Sequence, residues 1–455
     1  MCGIYGSTIY YSQEQVHKKL ERTSFRGPDK LGFKFLGTDQ KPIIFGHNRL
    51  SIIDLDARSD QPFSYNKECH IVFNGEIYNF KSLKEDLAKK GHEFTTTSDT
   101  EVICAAYLEY GEDCITKLNG MFALVIYDAK KQLLFGARDR LGQKPFYYYD
   151  NGKEFEFASQ LSSIQLYNTN LSISSKSITS YLAWGSVAEP NSIFNEIKKL
   201  EPGHTFTYNL DTSQLQIKQY WDIDFKGELK YEGSYLDAKQ TLNDYIKDAV
   251  SIRLFADVPV GVFLSGGVDS SVIAALATQT TTSKVKTFSV KFNEKGFDES
   301  MYAQQVADHL QTDHHVIECN YNEGLELIDN FSYYYDEPFA DSSAIPSMLL
   351  AKHTRKKVTV ALSGDGGDES FIGYHRYNWI KRGNNAFVFP YSFRFLLSKL
   401  LHLAPNYRLK ILAEALKYRD INRVYLASFT GVNLSWIESD FDYMDIADLK
   451  YLEHN

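Results

Sequence analysis

Cysteine is scarce in this chain. There are five in 455 residues, Cys2, Cys69, Cys104, Cys114 and Cys319, and no two form a CxxC pair. That excludes a disulfide framework and fits a reducing, cytoplasmic setting. A basic surplus is also missing: 49 Lys and Arg stand against 58 Asp and Glu, a net charge of -9. This argues against a general nucleic-acid or anionic-membrane surface, so neither partner is expected. Long apolar runs are absent. The most apolar late stretch, Ala386 to Ala404, carries Arg394, Lys399 and His402 and reads as amphipathic or buried rather than membrane-spanning. No basic region followed by an apolar stretch opens the chain, so no signal peptide is expected. Internal repeats and low-complexity tracts are lacking too. The twelve histidines are scattered, and the adjacent pair His314-His315 would point to opposite faces of a strand, a structural arrangement.

What is present is concentrated in two glycine-rich stretches of the second half. The first, Leu264, Ser265, Gly266, Gly267, Val268, Asp269, Ser270 and Ser271, follows the apolar run 258–264 and precedes Val272-Ile-Ala-Ala-Leu276. Strand, Gly/Ser loop and helix N-terminus together make an anion site, because unpaired N–H groups and the helix dipole converge there. Gly266 and Gly267 permit close approach to a phosphate, and the three serines add hydroxyl donors. Asp269 would repel phosphate unless a cation stood between them, which implies Mg2+ bridging it to a polyphosphate. No Gly-Lys-Ser/Thr of the Walker pattern follows. The stretch resembles the SGGxDS pyrophosphate loop of enzymes that split ATP into AMP and pyrophosphate. The second stretch, 358–369, repeats the design: a buried strand runs into Ser363, Gly364, Asp365, Gly366, Gly367, Asp368 and Glu369. Clustered carboxylates repel without a cation, and Mg2+ shared by Asp269 and Asp368 would relieve this. Strand–helix alternation over 234–318, including the strand 287–292 whose backbone near Val290 is suited to an adenine edge, predicts a doubly wound parallel sheet.

The first half offers a different chemistry. With Met1 removed, Cys2 becomes a terminal residue whose own α-amine can take the thiol proton. Arg49, on an apolar strand, is suited to clamp a carboxylate through paired hydrogen bonds. Strand 71–73 runs into Asn74-Gly75, a dipeptide that favours a tight turn and would present two donors to an oxyanion. Glu76 and Asp99 could hold an ammonium group. Taken singly, these are also a hairpin turn, a surface ion pair and a helix N-cap. Together they match the needs of glutamine hydrolysis.

The runs MCGIYG, RGPD (26–29), HNRLSIID, NGEIYN, SDTE and ARDRLGQKPFYY resemble the N-terminal-nucleophile domain of glutamine-hydrolysing asparagine synthetases. The resemblance implies Cys2 as nucleophile, its α-amine as base, Asn74 and Gly75 as oxyanion hole, and Arg49, Asn74, Glu76 and Asp99 around glutamine. In the second half it implies ATP bound by Leu264 to Gly267, Asp269 to Ser271, Val290, Ser363 and Gly364. Asp365 falls at the acidic catalytic position, and Mg2+ at Asp269 and Asp368. The chemistry implied is attack of the aspartate side chain on the α-phosphate of ATP, then displacement of AMP by ammonia that reaches it through an internal channel. A homodimer is the family's usual assembly. Phe25 departs from the family, in which His often precedes RGPD.

The implied fold is an α+β αββα glutaminase sandwich over 1–210, a linker over 211–233, and an α/β doubly wound parallel-sheet ATP pyrophosphatase domain over 234–455. The family's segment LxxKxDRxSMAxxLExRxPFLD, whose lysine lies against the phosphates, is not found before Asn455, so the second domain is expected to be C-terminally incomplete. Two other functions fit the same motifs: amidation of a different carboxylate, such as a sugar acid or peptide, and a glutaminase or nucleotide-binding remnant without synthesis.

Overall fold

The computed structural model describes residues 1–38, 40–223, 231–291, 298–318, 321–419, 421 and 424–425. Cys319, Gly296, Phe297 and the chain end at 452–455 lie outside these. Among the described residues, no helix is long and apolar enough to cross a membrane.

The first domain is built on twelve strands: β1 (Gly3–Ser7), β2 (Lys30–Thr38), β3 (Lys41–Arg49), β4 (Phe63–Tyr65), β5 (Cys69–Ile77), β6 (Gly120–Asp128), β7 (Leu133–Arg138), β8 (Tyr147–Asp150), β9 (Phe155–Ala158), β10 (Ile197–Lys199), β11 (His204–Asn209) and β12 (Gln214–Gln219). They form two six-stranded sheets, ordered β10-β8-β9-β1-β3-β2 and β12-β11-β7-β6-β5-β4. Both are antiparallel throughout.

The side-chain period of two creates the layers. Along β5, Cys69, Ile71 and Phe73 face one core while Val72 faces another; along β6, Phe122, Leu124 and Ile126 alternate with Ala123, Val125 and Tyr127 in the same way. The middle core interleaves Ile4, Ile43 and Phe45 of the first sheet with Val72, Val125 and Phe206 of the second. Each outer face is covered by helices, Asp99–Tyr110 on one side and Gln13–Glu21 on the other. The result is the expected αββα sandwich. Pairing of β12 with β11 from His204↔Gln219 to Asn209↔Gln214 corrects the expected linker, since residues 214–219 belong to this sheet.

The second domain carries β13 (Val260–Phe263), β14 (Lys286–Lys291), β15 (Asp313–Glu318) and β16 (Val360–Leu362), all parallel, in the order β15-β14-β13-β16. Helices Val268–Thr280 and Ser300–Leu310 pack on one face through Ala274, Ala277, Ala303 and Ala307, and helix Ala344–Thr354 covers the other near Phe288 and Val358. The chain winds outward from β13 to β15, then returns to add β16 on the opposite side of β13. That reversal opens a crevice beyond the C-terminal ends of β13 and β16. His314 hydrogen-bonds Thr287 and Ser289 across the sheet while His315 stacks on Phe288, so the pair is structural as expected.

Polar contacts join the domains. Asp336 accepts the Ser162 N–H at 2.7 Å, Glu337 accepts that of Ile193 at 2.9 Å and pairs with Lys199, and Asp257 accepts that of Asp54 at 2.8 Å. The acidic stretch 336–343 therefore turns its first two carboxylates toward the first domain. Phe25 packs on Tyr333 and Tyr334 with ring centroids 5.1 and 5.0 Å away, so the residue that departs from the family pattern fills an interdomain aromatic cluster.

Candidate functional site

Two cavities gather most of the expected site residues. The first lies at the edge of β5 where β4 has ended, and is lined by Cys2, Arg49, Leu50, Gly75, Glu76, Ser98 and Asp99 among others. Cys2 ends against β3: its Sγ accepts the Leu50 N–H at 3.4 Å. Arg26 of RGPD donates from Nε to the Cys2 carbonyl at 3.0 Å, and a Cβ on Gly27 would lie 2.1 Å from the Asn48 carbonyl oxygen. This motif therefore locks the N-terminus in place, a role not read from sequence. Burial pushes the Cys2 thiol up, and it lowers the α-amine, here on Met1, to about 5.

Asn74 and Gly75 do not form the expected turn. They continue β5 and pair with Ala123 and Phe122. The strand still serves both. N–H groups alternate in direction along a strand, and those of Phe73 and Ile77 are taken on the open edge by the side chains of Gln61 (2.6 Å) and Asp99 (3.0 Å). The Gly75 N–H lies between them on the same edge. A Cβ at Gly75 would meet the Met121 carbonyl oxygen at 2.1 Å, so only glycine fits. The Asn74 side chain is fully buried, and neither its Oδ1 nor its Nδ2 has a partner. Buried amides are nearly always hydrogen-bonded, so this orphan, between the cavity-lining Phe73 and Gly75, leaves a donor free for a ligand.

Glu76 and Asp99 face the same small space. Burial, then the neighbouring Asp99, pushes the Glu76 carboxyl well up; burial raises Asp99 to about 6 against the Ile77 N–H that favours its ionised form. Two carboxyls whose ionised forms are disfavoured in this way are complementary to a cation, which would relieve them. Asp99 opens its helix but is not its cap; Ser98 accepts the Thr100 N–H. Arg49 lines the cavity, and its guanidinium also organises the following loop. It donates to the Asp56 carbonyl at 2.9 Å and to Asp60 at 2.7 Å, and it contacts the Asp54 carbonyl.

The second cavity, about 630 Å3, occupies the crevice beyond β13 and β16. Leu264, Ser265, Asp269, Ser270, Val290, Ser363, Gly364, Asp365 and Asp368 line it. Gly266, Gly267 and Ser271 act beside it rather than in its wall. Gly266 has φ +85° and would place a Cβ 2.6 Å from the Tyr302–Ala303 backbone, Gly267 caps the helix Val268–Thr280, and Ser271 donates back to the Gly267 carbonyl. The two loops touch through their glycines: a Cβ on Gly364 would stand 2.8 Å from the Ser270 nitrogen, and one on Gly367 2.5 Å from the Asp269 carboxylate. Asp269 is thereby brought to the loop that carries Asp365 and Asp368. Among the described residues no group of three His, Cys, Asp or Glu forms a ready metal cage. Two carboxylates on one cavity wall fit a hard cation that keeps waters and takes its other ligands from a polyphosphate, which is how Mg2+ binds.

Comparison with known proteins follows the same division. Residues 1–221 match the glutamine amidotransferase domain family and residues 241–452 the asparagine synthase family. An asparagine synthetase homologue (glutamine-hydrolysing, number 2) of Methanocaldococcus jannaschii is 40% identical over 82% of this chain and 76% of its own length. Asparagine synthetase (glutamine-hydrolysing) 1 of Bacillus subtilis is 38% identical over 83% of this chain, which spans 59% of that protein. The amidase chyE of Penicillium rubens is 30% identical over 80% of this chain and 55% of its own length. Two domains in the same order, and 40% identity over three quarters of a relative, make this chain a member of the glutamine-hydrolysing asparagine synthetase family.

Proposed function

We propose that this chain hydrolyses glutamine at Cys2 and uses the ammonia to amidate the side chain of aspartate, cleaving ATP to AMP and pyrophosphate. The observation that carries the synthetase half is the meeting of two glycine-flanked acidic loops, through Gly364, Gly367 and Asp269, at the crevice where a parallel sheet reverses.

In this reading the Cys2 thiolate attacks the glutamine side-chain carbonyl, and the Asn74 amide and Gly75 N–H receive the developing oxyanion. Glu76 and Asp99 hold the substrate ammonium. Arg49 holds its carboxylate while bracing the loop 53–60. In the second cavity the loops after β13 and β16 hold ATP, with Val290 at the base and Ser265, Ser270, Ser363 and Gly364 at the phosphates. Mg2+ bound with ATP would be held by Asp269 and Asp368 and would neutralise phosphate charge. Asp365, which accepts the Ser363 hydroxyl at 2.9 Å, is the acidic catalytic residue in this reading. The same reading takes a homodimer in the cytoplasm as the working state and no nucleic acid or membrane as partner.

Amidation of another carboxylate is the second reading, favoured by the likeness to a protein named as an amidase. The test is pyrophosphate release with MgATP, aspartate and ammonium, omitting each in turn, alongside glutaminase activity of wild type and Cys2→Ala. Aspartate-dependent pyrophosphate with stoichiometric asparagine is expected. Pyrophosphate release indifferent to aspartate would sink the choice of acceptor. No release, with Cys2-dependent glutaminase intact, would reduce the chain to its first half-reaction.

A further inference from the structure

The ARDRLGQKPFYY motif, 137–148, belongs to neither site as described, yet it carries a buried cation against the N-terminal residue. Lys144 is 3% exposed. Its peptide is gripped from both sides: its N–H donates to Asp139 at 3.0 Å and its carbonyl accepts Arg138 Nε at 2.8 Å. Asp139 is itself engaged by the N–H groups of Phe122, Leu141 and Gln143, so the loop 139–144 is a rigid arm. At its tip the Lys144 Nζ contacts the Met1 sulfur at 2.9 Å. A thioether is a weak acceptor and a poor match for a buried ammonium. Removal of Met1 would leave that ammonium facing the new N-terminus.

We propose that Lys144 is a positioning residue for glutamine hydrolysis: its ammonium, held behind Cys2, keeps the freed Cys2 α-amine in the uncharged form that takes the thiol proton. The inference rests on Cys2 being the nucleophile. The thiol proton passes to the α-amine, and the sulfur forms a bond to the glutamine side-chain carbon. The carbon–nitrogen bond then breaks, and ammonia leaves with the proton returned from the α-ammonium. Water hydrolyses the thioester. Lys144 exchanges no proton; it acts by charge.

The charged and titratable groups around Lys144 are Arg26, Asp139, Glu76, Cys2 and the N-terminus. Burial and then Arg26 lower the amine ahead of Lys144, and Cys2 and Glu76 oppose them, while Asp139 is already engaged by four backbone donors. Burial, with Arg26 nearby, lowers the lysine itself to about 8, which leaves it mostly charged at neutral pH.

The experiment is the pH profile of glutaminase kcat/KM for wild type, Lys144→Met and Lys144→Arg, with Met1 removal checked by mass spectrometry and folding by thermal melting. Lys144→Met should move the acidic limb up by about one pH unit, lower kcat several-fold at neutral pH with little change in KM, and recover above the displaced limb. Lys144→Arg should keep the wild-type limb. A loss in Lys144→Met that does not vary with pH, or an Arg variant displaced as far as the Met variant, would overturn the proposal. Should Lys144→Met fail to fold, Lys144→Gln reads the same limb. Retained hydrolysis in Cys2→Ala would instead defeat the nucleophile assignment beneath it.

Discussion

Replacing Asn74 with leucine should make the protein more stable and nearly inactive as a glutaminase. The side chain is fully buried and both amide atoms lack partners. Leaving a buried polar group unsatisfied costs about 1–3 kcal/mol, and an apolar side chain of similar shape removes that cost without opening a cavity. A gain of about 1–3 kcal/mol is expected, which raises Tm by about 2–4 °C per kcal/mol for a domain of this size. The same change deletes the donor proposed for the oxyanion, and loss of one such donor lowers kcat by about 10²–10³. KM should barely move, because the donor acts on charge that develops after binding. Calorimetry of the glutaminase transition and ammonia release from glutamine read the two effects separately. A lower Tm would mean that the amide is held for structure, and a kcat within about threefold of wild type would remove it from the oxyanion hole.

Three further outcomes follow from the same geometry. Burial raises Asp99 from 3.8 to about 6, so the folded state binds its proton more tightly than the unfolded chain and stability falls as pH rises through that window. Asp99→Asn should therefore stabilise the protein at pH 7, seen by denaturant melting, while raising KM for glutamine about tenfold or more; in wild type KM should rise as pH falls through about 6. Gly367→Ala would press a Cβ to within 2.5 Å of the Asp269 carboxylate, and pyrophosphate release should drop at least about tenfold with glutaminase activity unchanged. Lys19 and Glu156, both fully buried, pair at 2.8 Å. Lys19→Met should cost about 3–5 kcal/mol in thermal stability, and the double variant Lys19→Met/Glu156→Leu should recover most of it.

Local pattern made much of this legible from the chain alone. Short apolar runs in β5 and β6 mark buried strands, and apolar run, Gly/Ser loop and helix start in succession mark a parallel-sheet turn whose helix end can bind an anion. The thiol at position 2 and the acidic glycine-rich loops carry their chemistry in their residue types. Helix 235–253 and the strands of β6 and β7 likewise follow from spacing. Asn-Gly was a misleading local signal: turn propensity gave way to a nine-residue ladder with β6, because pairing and burial on both faces outweigh the preference of two residues. A similar override placed 214–219 in a sheet, where a polar composition hid an edge strand exposed to water.

The sequence by itself determined which reactive groups exist and which of them ride on strand ends or loops, since those features depend on neighbours a few residues apart. Only the tertiary structure decided their company. Arg26 reaches the Cys2 carbonyl, Asp99 reaches the Ile77 N–H, Asp336 reaches Ser162 across the domain boundary, and Gly367 abuts Asp269, contacts separated by 22 to 174 residues or formed between separate loops. Such pairings are set by how whole sheets close over their cores. A buried charge or amide takes its meaning, whether strut, donor or base, from the groups the fold places against it in the absence of water.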